Sequence, residues 1–352
     1  MVKLRDAGYC NLKLFLLYLV VYGHWIEAGI YESQTLYIQY RLIYLVHMPL
    51  FVFLSGLFLR NAKDCGRQIR RMLPMYVVLQ AAVTLSGGNP AGFWTPYWHL
   101  WYLLSYCGWA GVGWLWFRYC ETSLGKTCFG KSAETVTKTT AKWLILGLSI
   151  LAALVAGYIP RIDRTWSLSR AIVFFPYFWV GLMLDAKIQW HRYRRWGVAA
   201  LVVALAGIVM WGDQISVTFL YQAAPYGRVA NGAILRLLCY GLGAVMSVFW
   251  LTAIPTRRLA CTRAGADTMP GYLIHAPLVG VLREIPILWQ VPVPWVMCAM
   301  GSALLLYVIY KLLQWNSPLY GIVPGERRDR RWLRFKKSTA NTARRCIDSF
   351  CP

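Results

Sequence analysis

Lys13 and His24 stand eleven residues apart on the first long apolar segment, NLKLFLLYLVVYGHWIEAG. At about 100° per residue, eleven steps make roughly three turns plus 20°, so both side chains share one helix face. The rise between them is about 16 Å, half the hydrocarbon thickness of a bilayer. Ionisable groups inside apolar spans are costly and mark functional sites by default. Glu27 follows one turn after His24, about 60° around the helix. A carboxylate beside an imidazole orients and tunes it as a base, and the aligned cation adds a second charge to that face. This triplet points to proton chemistry.

Other polar residues fall in or at apolar segments: Arg41, His47, His99, Arg170 and His275. By depth, His24, Glu27, Arg41, His47, His99 and Arg170 belong to the outer half of the membrane, where convergence in one cavity is expected. Lys13 stays on the inner side of the same path, and His275 lies near the middle of its segment. Each has a second reading. A membrane histidine such as His47 or His275 also serves as a hydrogen-bonding partner between helices. His99, flanked by Trp98 and Trp101, fits an interfacial aromatic belt. Arg41 and Arg170 at segment ends can snorkel, and the serines before Arg170 can cap the helix that follows. No phosphate-binding loop, dinucleotide fingerprint, HExxH or GxSxG is present, and Cys346 and Cys351 lack partners for a zinc site, so no metal is expected.

The elements that position these residues are apolar runs. The 352-residue chain is 58% hydrophobic and 14% charged, which in a soluble protein would expose large apolar patches. Runs of spanning length recur at 13–30, 40–59, 72–87, 98–117, 142–159, 170–185, 196–212, 231–254, 268–285 and 293–314. The fold class is therefore all-α: a polytopic integral membrane protein of about ten transmembrane helices, with a membrane domain at 1–315 and a basic tail at 316–352. The net charge of +23, from 37 Lys and Arg against 14 Asp and Glu, is spread as stripes over alternate connections. Segment 60–71, segment 118–142, segment 187–195, Arg257 with Arg258 and Arg263, and the tail from Arg327 to Arg345 carry most of it. The exceptions are Arg41, Arg161, Arg164, Arg170, Arg228, Arg236 and Arg283. The positive-inside rule then places both termini in the cytoplasm. The charge sets orientation and holds anionic lipid headgroups rather than nucleic acid. None of the ten cysteines falls in an external loop, so no disulfide framework is expected. The first apolar run lacks a small-residue cleavage site and is expected to stay in the protein. The tail segment RRDRRWLRFKK fits a basic stretch on the inner leaflet.

Several motifs in series are familiar. Asn11-Leu-Lys13, then ten residues, then His24 resembles a basic–ten–His signature. Gly23-His24-Trp-Ile-Glu27, His47-Met-Pro-Leu-Phe-Val-Phe-Leu-Ser-Gly56, Trp98-His99-Leu-Trp101, Ser167-Leu-Ser-Arg170 with Phe174-Phe-Pro-Tyr-Phe, and Tyr272-Leu-Ile-His275 follow in order. Over about residues 9–310 the chain resembles the membrane acyltransferase 3 family, especially its fucose 4-O-acetylase-like branch. It departs at Cys10, where the branch usually carries an acid, and at Lys13, where arginine is common. The resemblance implies transfer of an acyl group, usually acetyl, from cytoplasmic acyl-CoA to a hydroxyl of a cell-surface or lipid-linked carbohydrate. No cofactor is then bound permanently; acetyl-CoA or another acyl-CoA is a substrate. On this reading His24 is general base or acyl relay, Glu27 orients it, and Lys13 and Arg170 attract the donor. His47, Arg41, His99 and His275 contact substrate or oxyanion. A proton-coupled transporter or flippase of glycan intermediates or small solutes is the alternative, with His24 and Glu27 as a proton relay. A membrane sensor or scaffold is a third reading, and it leaves the aligned triplet without purpose.

Overall fold

The computed structural model describes residues 7–88, 91–121, 130–211, 214–227, 229, 231–285 and 294–315. Among the described residues the chain is helical and has no strand. In chain order the α-helices are α1 (Ala7–Ile26), α2 (Gln34–Leu57), α3 (Ala62–Leu85), α4 (Trp101–Glu121), α5 (Gly130–Ala156), α6 (Leu168–Met183), α7 (Arg194–Trp211), α8 (Val217–Leu220), α9 (Gly232–Ala253), α10 (Thr262–Ala266), α11 (Met269–Arg283) and α12 (Pro294–Trp315). Among the described residues each apolar run read from the sequence overlaps one long helix, and the short α8 and α10 fall in connections.

Among the described residues, length and hydropathy qualify six of the ten long helices to cross a membrane: α1 with its extension to Gly29, α2, Lys138–Ala156 of α5, Trp190–Trp211 including α7, α9, and Pro294–Leu313 of α12. The other four fall short for physical reasons. Helices α6 and α11 have 16 and 15 residues, less than the ~20 a span needs. Helix α3 opens on AKDCGRQIRR, and α4 draws much of its bulk from Trp and Tyr, which favour interfaces. Among the described residues the chain is all-helical, and six apolar helices of spanning length mark it as a membrane protein. The tail segment RRDRRWLRFKK, Cys346, Cys351 and the boundary at 315/316 lie at or beyond the last described residue, and Asn89 and Pro90 of the Gly-Gly-Asn-Pro stretch, whose composition reads as a turn, also fall outside the described residues. Gly87 of that turn has φ +74°, a left-handed value suited to glycine.

The chain forms two compact units, Met1–Ala28 with Ile254–Pro352, and Gly29–Ala253. In the first, α1 packs on α10, α11 and α12. Leu12, Leu16, Leu17 and Val21 of α1 are almost wholly buried. Asn11 fixes the connection into α10. Its Nδ2 donates to the carbonyls of Pro255 (2.7 Å) and Arg257 (3.0 Å), and its Oδ1 accepts from Thr262 Oγ1 (2.6 Å). Gly265 lets α10 approach the Cys10 carbonyl, where a Cβ would overlap it. In the second unit α2 crosses α6 at backbone contact. A Cβ on Gly56 would meet the Phe178 carbonyl, and one on Gly181 the Phe53 carbonyl, the small-residue crossing that membrane helices favour. Ser33 caps α2, its Oγ accepting from Leu36 N. Buried Gln80 of α3 donates to Thr95 O (2.9 Å) and Phe93 O (3.3 Å) and accepts from Tyr97 N (2.9 Å). It thereby pins the segment that leads to His99.

Candidate functional site

The chemistry-bearing cluster of the first unit sits where α1 ends. His24 occupies the last turn of α1, and Glu27 opens the 3-10 turn that follows. The helical offset read from the sequence brings His24 Nδ1 to 3.6 Å from Glu27 Oε2. That is longer than a hydrogen bond and is a charge contact; such contacts often tighten only when substrate binds. Glu27 Oε2 lies equally close, 3.6 Å, to Arg283 Nη1 at the end of α11. The His24 ring stacks on His275 of α11, centroids 5.6 Å apart and planes at 19°. His275 is fully buried, and its Nδ1 lies 2.6 Å from the Tyr272 carbonyl. A carbonyl only accepts, so Nδ1 carries the proton there and a neutral His275 presents a lone pair at Nε2. An oxyanion role for His275 therefore requires its imidazolium. Lys13 shares the His24 side of α1 and donates from Nζ to the Ala266 carbonyl at 3.2 Å.

Arg41, His47, His99 and Arg170 belong to the second unit. Arg41 is no snorkelling end residue: α2 begins at Gln34, so Arg41 lies two turns inside it, buried, its guanidinium 5.2 Å from the Tyr37 ring centre. His47 Nδ1 lies 2.7 Å from the Ile43 carbonyl, and its ring meets Tyr44 edge-on at 4.6 Å. His99 is buried in a 3-10 turn just before α4, not at an exposed belt. Arg170 Nε donates to the Tyr221 carbonyl at 3.1 Å, and the guanidinium lies 5.0 Å from the Trp101 ring. The serines before it do not cap α6. Ser167, at φ +56°, accepts from Ser105 Oγ, and Ser169 Oγ donates to the Gln222 carbonyl. Among the described residues no group of three or more His, Cys, Asp or Glu is placed to hold a metal ion.

A family model described as an acyltransferase domain, acyltransferase 3, matches residues 8–312. The chain belongs to this acyltransferase family. No curated protein and no solved structure matches it. As a membrane acyltransferase it must bring an acyl donor to an acceptor and manage one proton. The first unit holds an imidazole, a carboxylate and a guanidinium in contact.

Two arginines of the acyltransferase escaped the sequence reading. Arg283 entered only as a charge on the outer side, because nothing in the sequence links α11 to Glu27. Arg236 carried a usable signal, a cation in the apolar run GAILRLLCYG. It is 1% exposed; Nη1 donates to the Ala153 carbonyl, the guanidinium lies 4.4 Å from the Tyr226 ring centre, and Nε has no hydrogen-bond partner among the described residues. Gln222 Oε1 is likewise without a partner there, and both residues line a cavity of about 20 Å³, room for a water molecule.

Proposed function

We propose that this acyltransferase moves an acyl group, most simply acetyl, from cytoplasmic acyl-CoA to a hydroxyl of a cell-surface or lipid-linked carbohydrate, the acceptor class of the fucose 4-O-acetylase-like branch. The observation that carries the reading is the His24 ring, set against Glu27 Oε2 at Nδ1 and stacked on His275, with Arg283 facing the same Glu27 oxygen. Nδ1 faces the carboxylate, which leaves Nε2 as the base. The acceptor hydroxyl gives its proton to His24 Nε2 as its oxygen bonds to the thioester carbon. The C–S bond breaks, and the imidazolium returns the proton to the departing thiolate, giving free CoA. Glu27 stabilises the imidazolium between these steps. An acyl-His24 relay uses the same atoms in two stages. Lys13, on the same face of α1, attracts the CoA phosphates together with the basic inner surface. In the second unit Arg41, His47, His99 and Arg170 bind donor or acceptor, each already oriented by a backbone carbonyl or an aromatic ring. The protein is a multi-pass protein of the cell membrane, its ten helices running with both termini in the cytoplasm.

The test is transfer of label from acetyl-labelled CoA to glycan in membranes that contain the protein. The parent should label glycan, and His24→Ala, expressed to the same level, should lose about 10²–10⁴-fold of the rate. Undiminished labelling by His24→Ala would remove the base from this residue. Solute movement driven by a proton gradient without any acyl-CoA would replace the reading by transport.

A further inference from the structure

A large cavity lies in the first unit and is separate from the His24 cluster. Its volume is about 770 Å³, within the roughly 300–1,000 Å³ of pockets that enclose organic ligands. Leu14, Phe15 and Tyr18 of α1 form one wall and Ala303 and Leu306 of α12 another. Arg263 of α10 and Lys311 near the end of α12 line it as well. Asn11 and Tyr310 also border it, but their polar atoms are spent on the backbone of Pro255, Arg257 and Asp267. What remains is an apolar chamber with two cations.

The face of α1 that borders the chamber is not the reacting face. Taking Lys13 as zero and about 100° per residue, Leu14, Tyr18 and Phe15 fall near 100°, 140° and 200°, whereas His24 falls near 20°. An occupant thus sits behind the reacting side chains. Both long walls, α1 and α12, are helices able to cross a membrane, so the apolar medium beside them is lipid. Cavities lined by apolar groups do not hold water well and accept apolar ligands. Basic residues beside a span attract anionic headgroups. Among the described residues neither Arg263 nor Lys311 is paired with a carboxylate.

We propose that this chamber binds one anionic phospholipid, an acyl chain lying between α1 and α12 and the phosphate on Arg263 and Lys311. The lipid is a bound component that braces the back of α1, not a reactant. The inference does not depend on the acyl-transfer reading.

Cys261 gives a local reporter, since it lines the chamber and is exposed, whereas Cys10, Cys65, Cys239 and Cys298 are buried controls. The full chain in neutral detergent would be alkylated with N-ethylmaleimide and each thiol followed by peptide mass spectrometry. Bound lipid would be counted in parallel by native mass spectrometry. Phosphatidylglycerol should slow alkylation of Cys261 about tenfold and be retained as one molecule; phosphatidylcholine and inorganic phosphate should change the rate less than twofold. The double variant Arg263→Gln, Lys311→Gln, at exposed positions, should cut the protection to the phosphatidylcholine level. Ala303→Trp, which fills the chamber from an exposed position, should abolish retention of that one lipid. Equal protection by the two lipids would overturn the headgroup assignment. Retention unchanged in both variants, or protection by inorganic phosphate alone, would overturn the site.

Discussion

In the proposed mechanism Glu27 is the residue on which the geometry turns, because one of its oxygens faces both His24 and Arg283 at 3.6 Å. Replacing it with glutamine keeps the shape and removes the charge proposed to steady the imidazolium. Glu27→Gln should lower kcat about a hundredfold, with KM for acyl-CoA nearly unchanged, in initial-rate measurements on membranes. Residues that act through one carboxylate do not add. Arg283→Gln in the Glu27→Gln background should therefore cost little beyond the single change, and a multiplicative loss would show that Arg283 acts elsewhere. How much of this was legible follows from distance along the chain. The His24–Glu27 contact is local, three residues along one helix end, and spacing alone foretold it. His275 and Arg283 lie about 250 residues later, and no periodicity reports that α11 packs on α1. Arg41 shows the converse: its type was legible, but its depth depended on where α2 begins, which the Ser33 cap decides.

At the scale of elements, two contacts set how the helices meet. Asn11 ties the start of α1 to the connection before α10 with two hydrogen bonds and to Thr262 of α10 with a third. Asn11→Leu leaves two carbonyls and a hydroxyl without that partner and should cost about 3 kcal/mol, a fall of roughly 5–10 °C in Tm, followed by tryptophan fluorescence in detergent. At the α2–α6 crossing, Gly181→Val sets a side chain against the Phe53 carbonyl. It should abolish the single sharp peak of folded protein in gel filtration. Gly108→Ala on α4, where nothing lies within 4 Å of the added carbon, should leave the peak and the midpoint unchanged. The long helices among the described residues were legible because a long apolar run has few other fates, although only six of them are long and apolar enough to span. The meaning of Gly56 and Gly181 was not, because a missing side chain says nothing about which backbone fills its place.

For the whole molecule, charge is the dominant statement: 37 basic residues against 14 acidic, much of it in stripes between the apolar runs and at the helix ends beside them. If that pattern orients the chain as proposed, a fluorescent protein fused after Pro352 should fluoresce in a bacterial host, and alkaline phosphatase fused there should stay inactive; the reverse result would invert the topology. The first unit joins Met1–Ala28 to Ile254–Pro352, so the His24 cluster is built from both ends of the polypeptide. A ribosome adding roughly 5–20 residues per second takes ten seconds or more to make the stretch between them. Throughout that interval the newborn α1 carries Lys13, His24 and Glu27 with none of the groups from α10 and α11 that later receive them. The earliest-made segment is therefore the last to be completed. Chains that stop before Ile254 should be cleared by membrane proteases faster than full-length ones, a difference that pulse-chase labelling would read as a shortened half-life.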